Sequence, residues 1–175
     1  IALAAGGYWR AFAAAAATVA LEIVIPTAAF GADIWTGFFE IMRSARREIV
    51  EAGAIGFEKI QSAFAAARLL GAPVEIAYAL QAAIFAATSY FTMRLWRGRA
   101  SPDLKGAGLV IAAVLATPYA VDYDLVILAP AMAMLVREGL KSGFLSFEKT
   151  VLLIVAFAPV ISRPIGAATH LSIGL

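Results

Sequence analysis

Between Gly106 and Val136 the chain is apolar except at one place, Thr117-Pro118-Tyr119-Ala120-Val121-Asp122-Tyr123-Asp124. No other feature restricts the fold as much. Drawn as one helix, the stretch would run about 45 Å, well past the roughly 30 Å hydrocarbon core of a bilayer. Drawn as two arms, each measures about 20 Å, which is short for a full span and sets the polar tip below the membrane surface. Irregular backbone at that depth is tolerated only where protein buries it or where it lines a wet cavity. We therefore read a helical hairpin that turns at Pro118.

The remaining apolar residues also fall in blocks. The chain is 62% hydrophobic and 15% charged, whereas a soluble domain carries about 25% charged residues. A first span covers 11–30, led by Tyr8, Trp9 and Arg10 at headgroup level. It carries Glu22 at mid-span and Pro26, where a kink is expected. A mid-bilayer carboxylate is either functional or a protonated helix contact, and Glu22 stays open between the two. The Ala13–Ala17 run gives a smooth surface for close helix packing. Further spans at 74–93, 106–118, 125–136 and 150–161 complete a single domain: an all-α, multi-pass transmembrane helical bundle.

Residues 31–73 are too polar to span, yet they are patterned. Trp35, Phe38, Phe39, Met42, Ala45 and Ile49 recur at helical spacing, and Phe57, Ile60 and Phe64 continue the pattern until Gly71-Ala72-Pro73 stops it. Two interfacial amphipathic helices fit this, as do helices packed on top of the bundle. Arg43, Arg46 and Arg47 read as a solvated helix face.

Cations set the orientation. The 94–105 connection holds four cations against one acid, and the 137–149 connection three against two. Both are short, so the positive-inside rule puts them in the cytoplasm. The 31–73 segment has five of each sign and no inward bias. The extracytoplasmic face then collects the amphipathic segment, the Asp122-Tyr123-Asp124 tip and the tail from Arg163 to His170. Nucleic-acid binding is excluded, because Lys and Arg flank apolar blocks and form no patch. With no cysteine and no metal-ligand spacing, neither a disulfide nor a metal site is expected.

Two segments carry a family likeness. Gly56-Phe57-Glu58-Lys59-Ile60-Gln61-Ser62-Ala63-Phe64 resembles the Gly-Trp-x-Lys-Met-x-Ser-x-Phe stretch of glycosyltransferase family 87, with Phe57 in place of Trp and Ile60 in place of Met. Ala116 to Leu125 resembles the same family's Ala-Thr-Pro-Tyr-x-x-Asp-Tyr-Asp hairpin. The resemblance implies a GT-C fold in a bacterial inner (plasma) membrane. It also implies transfer of a hexose, often mannose, from a polyprenyl-phosphate donor to a lipid or glycan acceptor outside the cytoplasm. The partners are then the lipid bilayer, a lipid-linked sugar donor and that acceptor, with no cofactor. The family's catalytic carboxylate lies in an early extracytoplasmic loop. The chain opens at Ile1 without Met, so the sequence reads as a C-terminal part of a longer protein, inactive alone.

Such a donor leaves as a lipid phosphate, so the site needs cations for the phosphate and hydroxyl-binding groups for sugar and acceptor. Lys59 and Arg163 lie on the appropriate face to hold phosphate, or else anchor headgroups. Asp122 and Asp124 read as hydroxyl binders, as holders of a cation or as hairpin caps, although paired aspartates alone are weak evidence for a cation. Tyr119 and Tyr123 suit sugar stacking or the interfacial belt, and Gln61 and Ser62 suit acceptor hydrogen bonds. His170, the sole histidine, is an acid/base group, a phosphate contact or a structural residue. Two other classes compete on residues alone. One is a transporter or flippase, in which broken helices flank a midplane site, although no internal repeat is present. The other is a noncatalytic membrane scaffold.

Overall fold

The computed structural model describes residues 1–169, with side chains as far as residue 158. Eight α-helices account for most of it: α1 (Ala2–Ala5), α2 (Trp9–Phe30), α3 (Ile34–Ala45), α4 (Ala63–Leu69), α5 (Val74–Arg97), α6 (Pro102–Ala116), α7 (Leu128–Ser142) and α8 (Glu148–Thr169). A π-helical turn, Arg46–Glu51, extends α3, and 3-10 turns cover Phe57–Lys59 and Asp122–Ile127. The chain is all-helical, with one isolated antiparallel bridge, Ile60 to Val121, among the described residues.

Among those residues two helices are long and apolar enough to cross a membrane, α2 with 22 residues and α5 with 24. At 1.5 Å per residue they are about 33 and 36 Å long. The apolar stretches 11–30 and 74–93 fall within these two helices. No residue of α2 is buried, and the helix continues through Pro26 to Phe30. Trp35 Nε1 donates to Thr27 Oγ1 at 2.8 Å, tying α3 to the last turn of α2.

The hairpin forms where the sequence breaks. Ser101 caps α6 by accepting the Leu104 N–H, and Pro102 occupies the first turn, where its missing N–H costs nothing. At the other end Pro118 forces Thr117 into an extended conformation (ψ 136°), so the helix stops at Ala116. The second arm starts as a 3-10 turn and becomes α7 only at Leu128. It then runs to Ser142, beyond the 125–136 read from hydropathy, and ends at Gly143 with φ 88°. Lys141 in that last turn is favoured by the helix dipole. The arms are 15 residues each, about 22 Å, so both remain short for full spans. Their contact is close at Gly106, where an added Cβ would lie 2.7 Å from Met134 Sδ.

The feet of the two arms meet. The buried Asp103 carboxylate accepts from Arg137 Nε at 2.9 Å, from Arg137 Nη2, and from Lys141 Nζ at 2.9 Å. Ser101 Oγ donates to Glu138 Oε2 at 2.8 Å. The two basic connections thus lie at the same end of the hairpin, as the charge count required. On the far side of α6, Trp96 Nε1 donates to the Lys105 carbonyl, and Tyr8 packs edge-on against Trp96.

The second amphipathic helix expected through Phe57, Ile60 and Phe64 does not form. Ile60 is extended (φ −93°, ψ 115°) and α4 begins only at Ala63. Pairing with the hairpin takes the place of helical hydrogen bonds there. The last helix is also longer than the 150–161 read from the sequence.

The Arg137 hydrogen bonds, followed by those of Lys141, hold the Asp103 carboxyl down to about 2 from its ordinary 3.8. A depressed carboxyl stabilises the fold above the unfolded value and loses that effect as pH falls through the folded one. Asp103→Asn should therefore melt below wild type in detergent at neutral pH. The gap should close between about pH 4 and pH 2 as wild type loses the clasp. Melting curves at stepped pH measure this.

Candidate functional site

The site is a joint between two turns. Gly56 stands at φ 88° and ψ 126°, a backbone state that side-chain-bearing residues avoid, and its carbonyl accepts the Lys59 N–H that closes the Phe57–Lys59 turn. Ile60 then pairs antiparallel with Val121, and the Gln61 N–H donates to the Ala120 carbonyl at 2.5 Å. Buried Ile60, Ala65 and Val121 form a small core with Ile55 and Phe57 against them. Val114, Ala120 and Leu125 close the inside of the hairpin. The two segments that carried the family likeness therefore meet in space.

Antiparallel register fixes what lies opposite what. Ile60 lies across from Val121 and the Gln61 N–H meets the Ala120 carbonyl; the pairing stops there, because Lys59 and Asp122 each belong to a 3-10 turn. Lys59 and Asp122 are thus the residues at which the two turns meet the bridge. Lys59 is half-buried, and the ion pairs among the described residues involve other groups. Asp122 is half-buried, and its carboxylate accepts the Tyr123 N–H at 3.0 Å.

Two clefts flank the tip. One, of about 710 Å³, lies between the hairpin and α8. Asp122 and Tyr123 stand at its polar end, and Leu128, Met132 and Val155 are among its apolar walls. The other, of about 560 Å³, lies on the α6 side and is lined by Thr117, Tyr119, Tyr123 and Asp124 with apolar neighbours. Tyr123, 72% exposed, lines both.

Other candidates have work within the fold. The Asp124 carboxylate accepts the Val121 N–H at 3.0 Å while its own N–H donates to the Val121 carbonyl, so it caps the turn. Ser62 is fully buried and its hydroxyl accepts the Ala65 N–H, capping α4. Gln61 is 1% exposed; its Nε2 donates to the Glu58 carbonyl, and its Oε1 has no hydrogen-bond partner among the described residues. α8 packs against both 3-10 turns and carries Arg163, whose side chain lies outside the described residues. His170 also lies outside them.

Sequence reasoning missed the groups that hold the joint. Gln81, on α5 and 4% exposed, accepts the Phe64 N–H at 3.1 Å and donates to the Leu115 carbonyl at 2.9 Å. Arg68 donates to the Ala72 carbonyl at 2.7 Å and lies over the Phe57 ring. Glu51 receives the Tyr78 hydroxyl at 3.1 Å and Arg46 at 3.2 Å, fastening the π-turn to α5. A signal for Gln81 existed: it is the sole amide in the apolar run 76–93, where a polar side chain implies a partner.

Taken together, these features define an all-helical protein with two helices long and apolar enough to cross a membrane, and a polar joint opening on apolar clefts. The chain belongs to glycosyltransferase family 87, whose model matches residues 1–118. The match includes the whole Gly56–Phe64 stretch and ends at the hairpin's Pro118. No curated protein and no solved structure matches the chain.

Gly56→Ala tests the joint. It places a Cβ in the left-handed φ region and against the Glu58 carboxylate. The expected cost is about 1–3 kcal/mol of stability, read as a lowered melting temperature in detergent. The Glu58 contact can be relieved by rotating a flexible side chain, so Gly56→Ala/Glu58→Ala should recover little of the loss.

Proposed function

We propose that this protein is an integral membrane glycosyltransferase of GT-C type, built as a multi-pass helical bundle in a bacterial inner membrane. In this reading it moves a hexose, specifically mannose, from a polyprenyl-phosphate donor to a lipid or glycan acceptor on the extracytoplasmic side. Family membership supports the transferase class. The observation that carries the rest is the Ile60–Val121 bridge, which joins the turn carrying Lys59 to the turn carrying Asp122, and Asp122 lines the cleft along α7 and α8. A cleft that is polar at one end and apolar along its walls suits an amphiphile, with a charged head at the tip and a hydrocarbon tail along the helices.

The chemistry follows from the leaving group. The sugar's anomeric carbon loses a lipid phosphate as the acceptor hydroxyl attacks, so negative charge grows on the phosphate oxygens. An ammonium fixed beside them in a dry setting stabilises that charge more than water does. Lys59 is assigned this role, with Arg163 on α8 as a second cation. Asp122 accepts hydrogen bonds from sugar or acceptor hydroxyls, and Tyr119 and Tyr123 supply ring faces for the sugar. Gln61, Ser62 and Asp124 shape the joint through the bonds described above. Among these residues the assigned roles are binding roles; the base for the acceptor belongs to a different loop in the family likeness. The reading invokes no cofactor.

In membranes from cells expressing the full-length protein to which this sequence belongs, supplied with polyprenyl-phosphate mannose, Lys59→Ala and Asp122→Ala should each lower transfer about 10- to 100-fold. That corresponds to losing one charged hydrogen bond. Full transfer by both variants at matched protein levels would remove the assignment.

A further inference from the structure

We propose that Gln81 is a positioning residue for this site, acting through the α4 start and the α6 end and touching no substrate. The inference rests on the transferase reading for its catalytic consequence, and on geometry alone for its structural one. Any α-helix leaves its first N–H groups and last carbonyls without internal partners. The Phe64 N–H belongs to the first turn of α4, and the Leu115 carbonyl to the last turn of α6. Each sits where the chain breaks on the way into the joint, Phe64 just after Ile60 and Leu115 just before the bend that leads to Val121. Ser62 already serves the Ala65 N–H, which leaves Phe64 to find a partner elsewhere. The Gln81 amide meets both needs with one side chain, accepting from Phe64 and donating to Leu115.

The residue type matters. An amide has an acceptor and a donor on one planar group, so it can join an orphan N–H to an orphan C=O. A hydroxyl is too short to bridge two elements from α5, and a carboxylate lacks the donor. The amide is 4% exposed, where water does not substitute for a lost partner. α5 thereby works as a fixed rail that sets the distance between the Lys59 turn and the Asp122 turn. The joint is also held by the Ile60–Val121 bridge, a small apolar core and the packing of α8 on both turns.

The chain has no cysteine, so an engineered pair reports on the joint without background. Ile60→Cys/Val121→Cys occupies bridged positions, whose Cα separation in an antiparallel pair falls in the range a disulfide spans. With Gln81 intact, iodine should oxidise the pair readily in membranes. Adding Gln81→Met, of similar volume and without hydrogen bonds, should slow cross-linking about tenfold. Burial favours the neutral acid, which has one donor and one acceptor, so Gln81→Glu should restore the rate at pH 5 more than at pH 8, each measured against the Gln81 pair at the same pH. In the cysteine-free protein, Gln81→Met should lower kcat and raise KM for polyprenyl-phosphate mannose at equal protein levels.

Equal cross-linking rates for the cysteine pair with and without Gln81→Met would overturn the proposal, as would a pair that fails to close even with Gln81 present. Loss of folded Gln81→Met protein would shift the decision to Gln81→Glu, whose lack of any pH dependence would also overturn it. Absence of sugar transfer by the full-length wild-type protein would count against the donor assignment alone and leave the cross-linking result in force.

Discussion

A helix that ends among apolar groups must find partners for its last carbonyls, and α6 ends at Ala116 because Pro118 allows no further turn. Much of the molecule's irregular architecture is a response to that break. The Ala120 carbonyl is taken by the Gln61 N–H, the Leu115 carbonyl by Gln81, and the Val121 N–H by the Asp124 carboxylate. Each partner comes from a different part of the chain. Satisfying the broken backbone therefore draws α5, the Gly56–Phe64 stretch and the hairpin tip into one place, and that place is the candidate site.

The broad features were legible because they depend on local physics. The Thr117–Asp124 interruption and the basic residues at 94–105 and 137–149 specified a hairpin with both feet on one side, and the Asp103 clasp to Arg137 and Lys141 joins those feet. The apolar blocks read at 11–30 and 74–93 are helical, within α2 and α5. What escaped was long-range. Phe57, Ile60 and Phe64 have helical spacing, but the bridge to Val121 replaces helix at Ile60, and no window of sequence around Ile60 contains Val121. Where α7 ends was missed for a related reason: Arg137 and Lys141 look like loop cations until Asp103 gives them a buried carboxylate to face. The uses of Ser62 and Gln61 inside the fold likewise depend on partners the pattern does not show.

The hairpin tip also separates two aspartates that look equivalent in the sequence. Asp124 turns back on its own turn and accepts the Val121 N–H, whereas Asp122 stands at the edge of the cleft beside α8. A 3-10 turn advances about a third of a turn per residue, so residues two apart point in different directions. One carboxylate can then stabilise the bend while the other faces the cleft. The same geometry lets Tyr123 border both clefts.

The clasp at the feet and the bridge at the tip have a joint mechanical consequence. A bar fixed at one end swings, whereas a bar fixed at both ends transmits load along its length. With Asp103 holding the base of the hairpin and Ile60–Val121 holding its crown, α6 and α7 form a strut across the molecule. Shape changes needed to admit a bulky amphiphile then fall more easily on the exposed tyrosine rings at the tip than on the strut itself.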